Sequence, residues 1–178
     1  MNLNISISEA TQPNVLPLDS INYLLSSLSP NAPAITNDVL RELIEEPATR
    51  LLLATINAPS VKERSSGGGV VSGGGTAGED EEKIVGMLTL ALFRIPSGVR
   101  AWIEDVVVDT EARGRGIGAA LVRRAIEIAQ ESGARTVDLT SRPSREAANK
   151  LYQKLGFEQR STNVYRYTIE TGTPLYKD

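Results

Sequence analysis

Apolar and polar residues alternate through NISISEA (4–10), the period of a strand with one buried face. Helical spacing takes over in two short stretches, 18–28 and 37–46. Pro17, Asp19 and Ser20 mark the start of the first. Thr36 and Asn37 offer N-caps to the second, which must stop before Pro47. The apolar runs RLLLATINA (50–58) and KIVGMLTLALF (83–93) have strand character, and IPSG turns the chain into a further strand, VRAWIEDVVVD (99–109). After a glycine-rich turn, Leu121, Val122, Ala125, Ile126 and Ala129 share one face of an amphipathic helix that Ser132 and Gly133 close. ARTVDLTS (134–141) reads as a strand and REAANKLYQKLG (145–156) as a helix. FEQRS (157–161) and VYRYTI (164–169) read as two closing strands. The order β-α-α-β-β-β-α-β-α-β-β predicts an α/β (α+β) domain, a mixed central sheet with helices on its faces.

Composition changes this picture in one place. SSGGGVVSGGGTAGEDEE (65–82) is rich in Gly and Ser and ends in four consecutive acids. It predicts a flexible, solvated insertion, about residues 59–82, within a hairpin of one 1–178 domain. It does not match the phosphate-cradling G-x-x-x-x-G-K-[ST] pattern, and its acids would repel phosphate.

Charge and residue usage then narrow the chemistry. A net charge of -3 argues against a bulk nucleic-acid binder, for which a basic face is expected. No apolar stretch has the length of a membrane span, and the first residues lack the form of a secretion signal, so the expectation is a soluble, cytoplasmic protein. With 0 Cys and 0 His, thiolate nucleophiles, Ser-His-Asp triads and metals held by Cys or His are excluded, and no metal is expected. Acid–base chemistry must fall to carboxylates, tyrosine, lysine, backbone or water.

The candidate chemistry centres on EARGRGIGAALVRR (111–124). A glycine turn opening a helix presents unpaired backbone N–H groups to an anion. Gly114, Gly116 and Ala119 fit G-x-G-x-x-G/A, the dinucleotide signature, with Asp138 downstream. In that motif the first glycine closes the strand directly, whereas DTEAR intervenes here after Val108. Too little chain follows to build a full dinucleotide domain.

The other parse is Arg113-x-x-Gly116-x-Gly118, which matches [QR]-x-x-G-x-[GA]. Together with ANKLYQKLGF (148–157), an Asn and a Tyr three residues apart followed by Gly-Phe, it resembles the acetyl-CoA-binding core of the GNAT superfamily of N-acetyltransferases. The resemblance covers about residues 83–169 well and the N-terminal third in element order alone. It implies a single-domain acyl-CoA N-acyltransferase fold of about six to seven strands and about four helices. It also implies acetyl-CoA as acetyl donor, an amine acceptor, and a homodimer through the C-terminal strands as an outcome consistent with the family. Neither nucleic acid nor membrane is an expected partner.

By that resemblance the turn from Arg113 through Gly114, Arg115, Gly116 and Ile117 to Gly118 holds the pyrophosphate. The backbone of Val106, Val107 and Val108 binds the pantetheine arm, and Asn149 contributes an amide. The amine must lose a proton, since a lysine-like amine is only ~0.1% neutral at pH 7. Strand alternation places Glu104 with Trp102 and Val106, and Asp105 on the other face. Glu104 is the expected base, Asp105 its alternate. Tyr152 is the expected acid for the leaving thiolate. The acceptor is not legible: the local IEDVVV is similar to glucosamine-6-phosphate N-acetyltransferases, whereas DLTSRP is not.

Overall fold

The structure, a computed structural model, describes residues 4–58 and 81–169. Five strands form one sheet in the order β1-β2-β3-β4-β5. They are β1 (Ile5–Glu9), β2 (Thr49–Ala58), β3 (Glu81–Ile95), β4 (Gly98–Val108) and β5 (Ala134–Leu139). The first four pair antiparallel in chain order, and β5 joins β4 in parallel. The parallel step needs a crossover, supplied by α3 (Ile117–Glu131), and α4 (Glu146–Lys154) follows β5. Between β1 and β2 lie α1 (Leu18–Leu28) and α2 (Asn37–Glu45). Thr36 caps α2 by accepting from the Val39 N–H at 3.3 Å. The strands β2 and β3 are the hairpin arms expected around the Gly/Ser-rich tract; most of that tract lies outside the described residues.

Each face of the sheet carries its own core. Leu52, Leu88, Leu90 and Ile103 pack against Leu121, Val122 and Ala125 of α3, with Tyr152 of α4. Leu51, Leu53, Ile84, Met87 and Val107 face Ile21 and Leu24 of α1 and Leu40 of α2. Gly86 sits where β3 passes beneath α3. A Cβ there would stand 3.1 Å from the Val107 carbonyl and 3.3 Å from both Ile117 and Leu121. Overpacking of this kind costs about 1–3 kcal/mol. Gly86→Ala should therefore lower the thermal midpoint by about 2–12 °C in calorimetry, given about 2–4 °C per kcal/mol for a chain of this size.

Two features of the sheet position the site. In the β3–β4 ladder Met87 pairs with Val107 and Thr89 with Glu104, so Leu88 alone faces both Asp105 and Val106. This is a bulge: one extra residue on β4, with Asp105 at φ 52. The second feature is a parting of strands. Pairing between β4 and β5 runs from Val99↔Ala134 to Ile103↔Leu139 and stops. Beyond Ile103, alternate N–H and C=O groups of β4 on that side have no strand partner among the described residues.

The strand count differs from the expected six to seven. FEQRS and VYRYTI form no strand here, and among the described residues β5 ends the sheet. Val164, Tyr165, Tyr167 and Ile169 remain 70–88% exposed. Period-2 spacing confers the capacity to pair, but a strand also needs an edge and a covered face. The tail touches β5 through the ion pair of Arg160 with Asp138, 3.7 Å, and makes no ladder with it.

Candidate active site

A cleft of about 920 Å³ opens where β4 leaves β5. Its walls are the end of β4, the glycine turn with the start of α3, one side of α4, and Ser27 and Leu28 at the end of α1. Of the residues singled out in the sequence, Val106, Val107, Val108, Arg113, Gly114, Gly116, Ile117, Gly118 and Tyr152 line it. Arg115, Glu104 and Asn149 do not.

Local chemistry explains the turn. Asp109, buried at the end of β4, accepts from the Glu111 N–H at 3.1 Å, and its own N–H donates to the Val85 carbonyl at 2.8 Å. Lys83 lies 3.6 Å from its other oxygen. This anchor directs the chain into Arg113, whose Nε donates to the Val108 carbonyl at 3.2 Å. Gly114 and Gly116 then adopt φ 76 and 81, and among the described residues beyond its chain neighbours neither has an atom within 4 Å of where a Cβ would be. The left-handed backbone and the open space both suit glycine. Gly116→Ala should cost about 1–2 kcal/mol of stability from the αL penalty alone, read as a lowered urea midpoint with unchanged slope.

Tyr152 is buried, its ring edge-on to Phe157 with centroids 5.8 Å apart. Its hydroxyl has no hydrogen-bond partner among the described residues and is not sealed in, so it opens on the cleft. Burial raises the phenol above the ordinary tyrosine value, opposed in part by the charge of Arg145. At neutral pH the group is a protonated donor.

The carboxylates separate differently from the expectation. Glu104 does stand beside Trp102, whose Nε1 donates to it at 2.7 Å. Val106 does not share that face: it packs with Ile103 against the α3 core. The bulge adds a residue and so reverses the alternation beyond it. Asp105, in the bulge itself, keeps much of its surface exposed, and its carboxyl is raised by partial desolvation and further by the charge of Glu104. Asn149 is turned away from the cleft. Its amide donates to the Arg142 carbonyl at 3.0 Å, clasping the loop before α4.

Sequence reasoning missed Asp109, although an Asp heading a short turn is a capping signal. It also missed Arg145, Lys150 and Lys154 on the α4 wall. The spacing of four between the lysines was visible, but not the wall they join. The hydroxyl of Ser141, just past β5, is buried without a partner among the described residues.

A sheet parted beside a glycine turn at a helix start, with a cleft between them, is the architecture of an α/β domain of acyltransferase type. A family model for the Acetyltransferase (GNAT) family matches residues 37–157, and the chain belongs to that family. Glucosamine 6-phosphate N-acetyltransferase 1 of Oryza sativa subsp. japonica is 31% identical over 148 residues, 81% of this chain and 76% of that protein. An uncharacterized N-acetyltransferase of Methanocaldococcus jannaschii is 43% identical over 60 residues, 34% of this chain; the match spans 26% of that relative's length. A putative acetyltransferase from Agrobacterium tumefaciens, 24% identical with a TM-score of 0.68 over 92% of this chain and 99% of its own, has the same fold.

Proposed function

We propose that this protein transfers the acetyl group of acetyl-CoA to a primary amine by direct attack in a ternary complex. The observation that carries the reading is the parting of β4 from β5 beside the glycine turn. It frees backbone groups of β4 for a pantetheine arm and sets outward-facing amides at the start of α3 for a pyrophosphate. The space left by Gly114 and Gly116 fits this group. Acetyl-CoA supplies the activated acetyl when bound.

The chain's own residues do the rest. The backbone groups of the Val106–Val108 stretch that face away from β3 hold the donor in register, and an N–H among them is a preorganised donor to developing negative charge. Glu104 takes the amine proton, directly or through water, with Trp102 holding one of its oxygens. Tyr152 keeps a proton available to a thiolate whose ordinary pKa is about 8.5. Cysteine is absent from the sequence, so no acyl-thiolate intermediate on the protein is involved. Asp105 is the second reading for the base, favoured by its raised carboxyl, because a base works best with a pKa near the operating pH.

An amino-sugar phosphate is one acceptor worth including, because of the 31% identical relative. The test is thiol release from acetyl-CoA against amino acids, polyamines, amino sugars and their phosphates, aminoglycosides and short peptides. One strong acceptor is expected. Failure to bind acetyl-CoA would remove the proposal; binding without turnover on any amine would favour a non-catalytic acyl-CoA-binding module.

A further inference from the structure

Six cations among the described residues stand in ion pairs: Arg41, Arg50, Lys83, Arg100, Arg124 and Arg160. The cleft gathers a different set. Arg113, Arg145, Lys150 and Lys154 line it, and among the described residues none forms a salt bridge. One acid, Glu146, shares the lining. Arg113 is committed to the Val108 carbonyl, and Arg145 reaches the Leu28 carbonyl at 3.4 Å. Lys150 and Lys154 have no hydrogen-bond or ion-pair partner among the described residues.

Their place is well defined. The two lysines are four residues apart and so share one face of α4. Leu151, next to Lys150, has its Cδ2 3.3 Å from where a Cβ on Gly118 would stand. The lysines therefore line the same cleft as the glycine turn, on the helix that packs against the first turn of α3.

We propose that Lys150 and Lys154 form a second anion site, adjoining the glycine turn, for a phosphate monoester: the ribose phosphate of the acetyl donor. The assignment rests on the acetyl-CoA reading of the cleft. Backbone amides suit a pyrophosphate held close to the chain, and they are fixed in number. A monoester carries about -1.5 to -2 charges at neutral pH and lies on a sugar beyond the reach of the same amides. Ammonium groups on long stems are compact, mobile point charges that can meet it. Both side chains are exposed, so the attraction is screened by salt.

The experiment is calorimetric titration of the full chain with acetyl-CoA and with its dephospho form, which lacks that ribose phosphate, at low and moderate ionic strength. The wild type should bind acetyl-CoA about tenfold more tightly, a preference that shrinks with salt. In the double variant K150M/K154M the preference should fall below about twofold while affinity for the dephospho form stays unchanged. Methionine keeps the unbranched stem, and the unfolding midpoint checks that α4 is intact. Equal binding of the two forms by the wild type would overturn the second site and leave the acetyl-CoA reading standing. So would an equal loss of both forms in the variant. Binding of neither form by the wild type would overturn both ideas.

Discussion

Tyr152→Phe should lower kcat by about 10²–10⁴-fold, the usual contribution of a positioned general acid, while the Kd for acetyl-CoA changes little. The ring is what the core uses: it meets Phe157 edge-on and packs beside α3, and phenylalanine keeps all of that. The hydroxyl has no partner to lose within the described residues, so no orphaned group is left behind. Unfolding midpoint and donor affinity should both survive. The pH profile carries the sign. Burial raises the phenol, so the proton-bearing form persists through the neutral range and up past the ordinary tyrosine value. Activity that depends on it should fall as pH rises through that raised value. The variant should lose this alkaline limb together with its rate. Wild-type turnover in the variant would remove Tyr152 from the chemistry.

The second large effect separates two neighbouring carboxylates. Glu104→Gln should reduce kcat/KM by about 10²-fold or more at every pH if Glu104 is the base. Asp105 predicts a different outcome. Its carboxyl is raised first by partial desolvation and second by the charge of Glu104, so neutralising Glu104 moves it back toward the ordinary range. Were Asp105 the base, Glu104→Gln would shift the acid limb of kcat/KM to lower pH with only a small loss of maximal rate. Asp105→Asn would then cause the large loss. In the reading favoured here, Asp105→Asn is mild, and it should also stabilise the fold at neutral pH. A raised carboxyl disfavours the folded state once ionised, so stability falls as pH rises through its folded value, and the asparagine variant escapes that loss. Asparagine also tolerates the left-handed backbone of the bulge. Unfolding midpoints on both sides of the carboxylate range would show it.

Much of the site was legible because it is written in local signals. A glycine turn leading into an amphipathic helix has a short-range meaning, and nine of the twelve residues singled out in the sequence line one cleft. Asn149 and Tyr152 looked equivalent at a spacing of three on one helix. They are not, because the preceding loop offers the Arg142 carbonyl to the amide and nothing to the phenol. Which of two same-face residues looks into a cleft depends on what packs at each end of its helix.

The sequence by itself determined the order of the elements as far as α4, the helix limits at 18–28, the glycine turn that opens α3, and the absence of cysteine and histidine side chains from any chemistry. Those follow from periodicity, caps and composition, each read within a few residues. The tertiary structure alone decided the bulge at Asp105, the reversal that parts Val106 from Glu104, the gap between β4 and β5, and the meeting of Lys150 and Lys154 with the glycine turn around one cleft. It also decided that VYRYTI, with a strand's alternation, lies unpaired. The reason is common to all of these: register and edge pairing are set by partners distant in the chain, and a single extra residue in one strand changes which face every later side chain occupies.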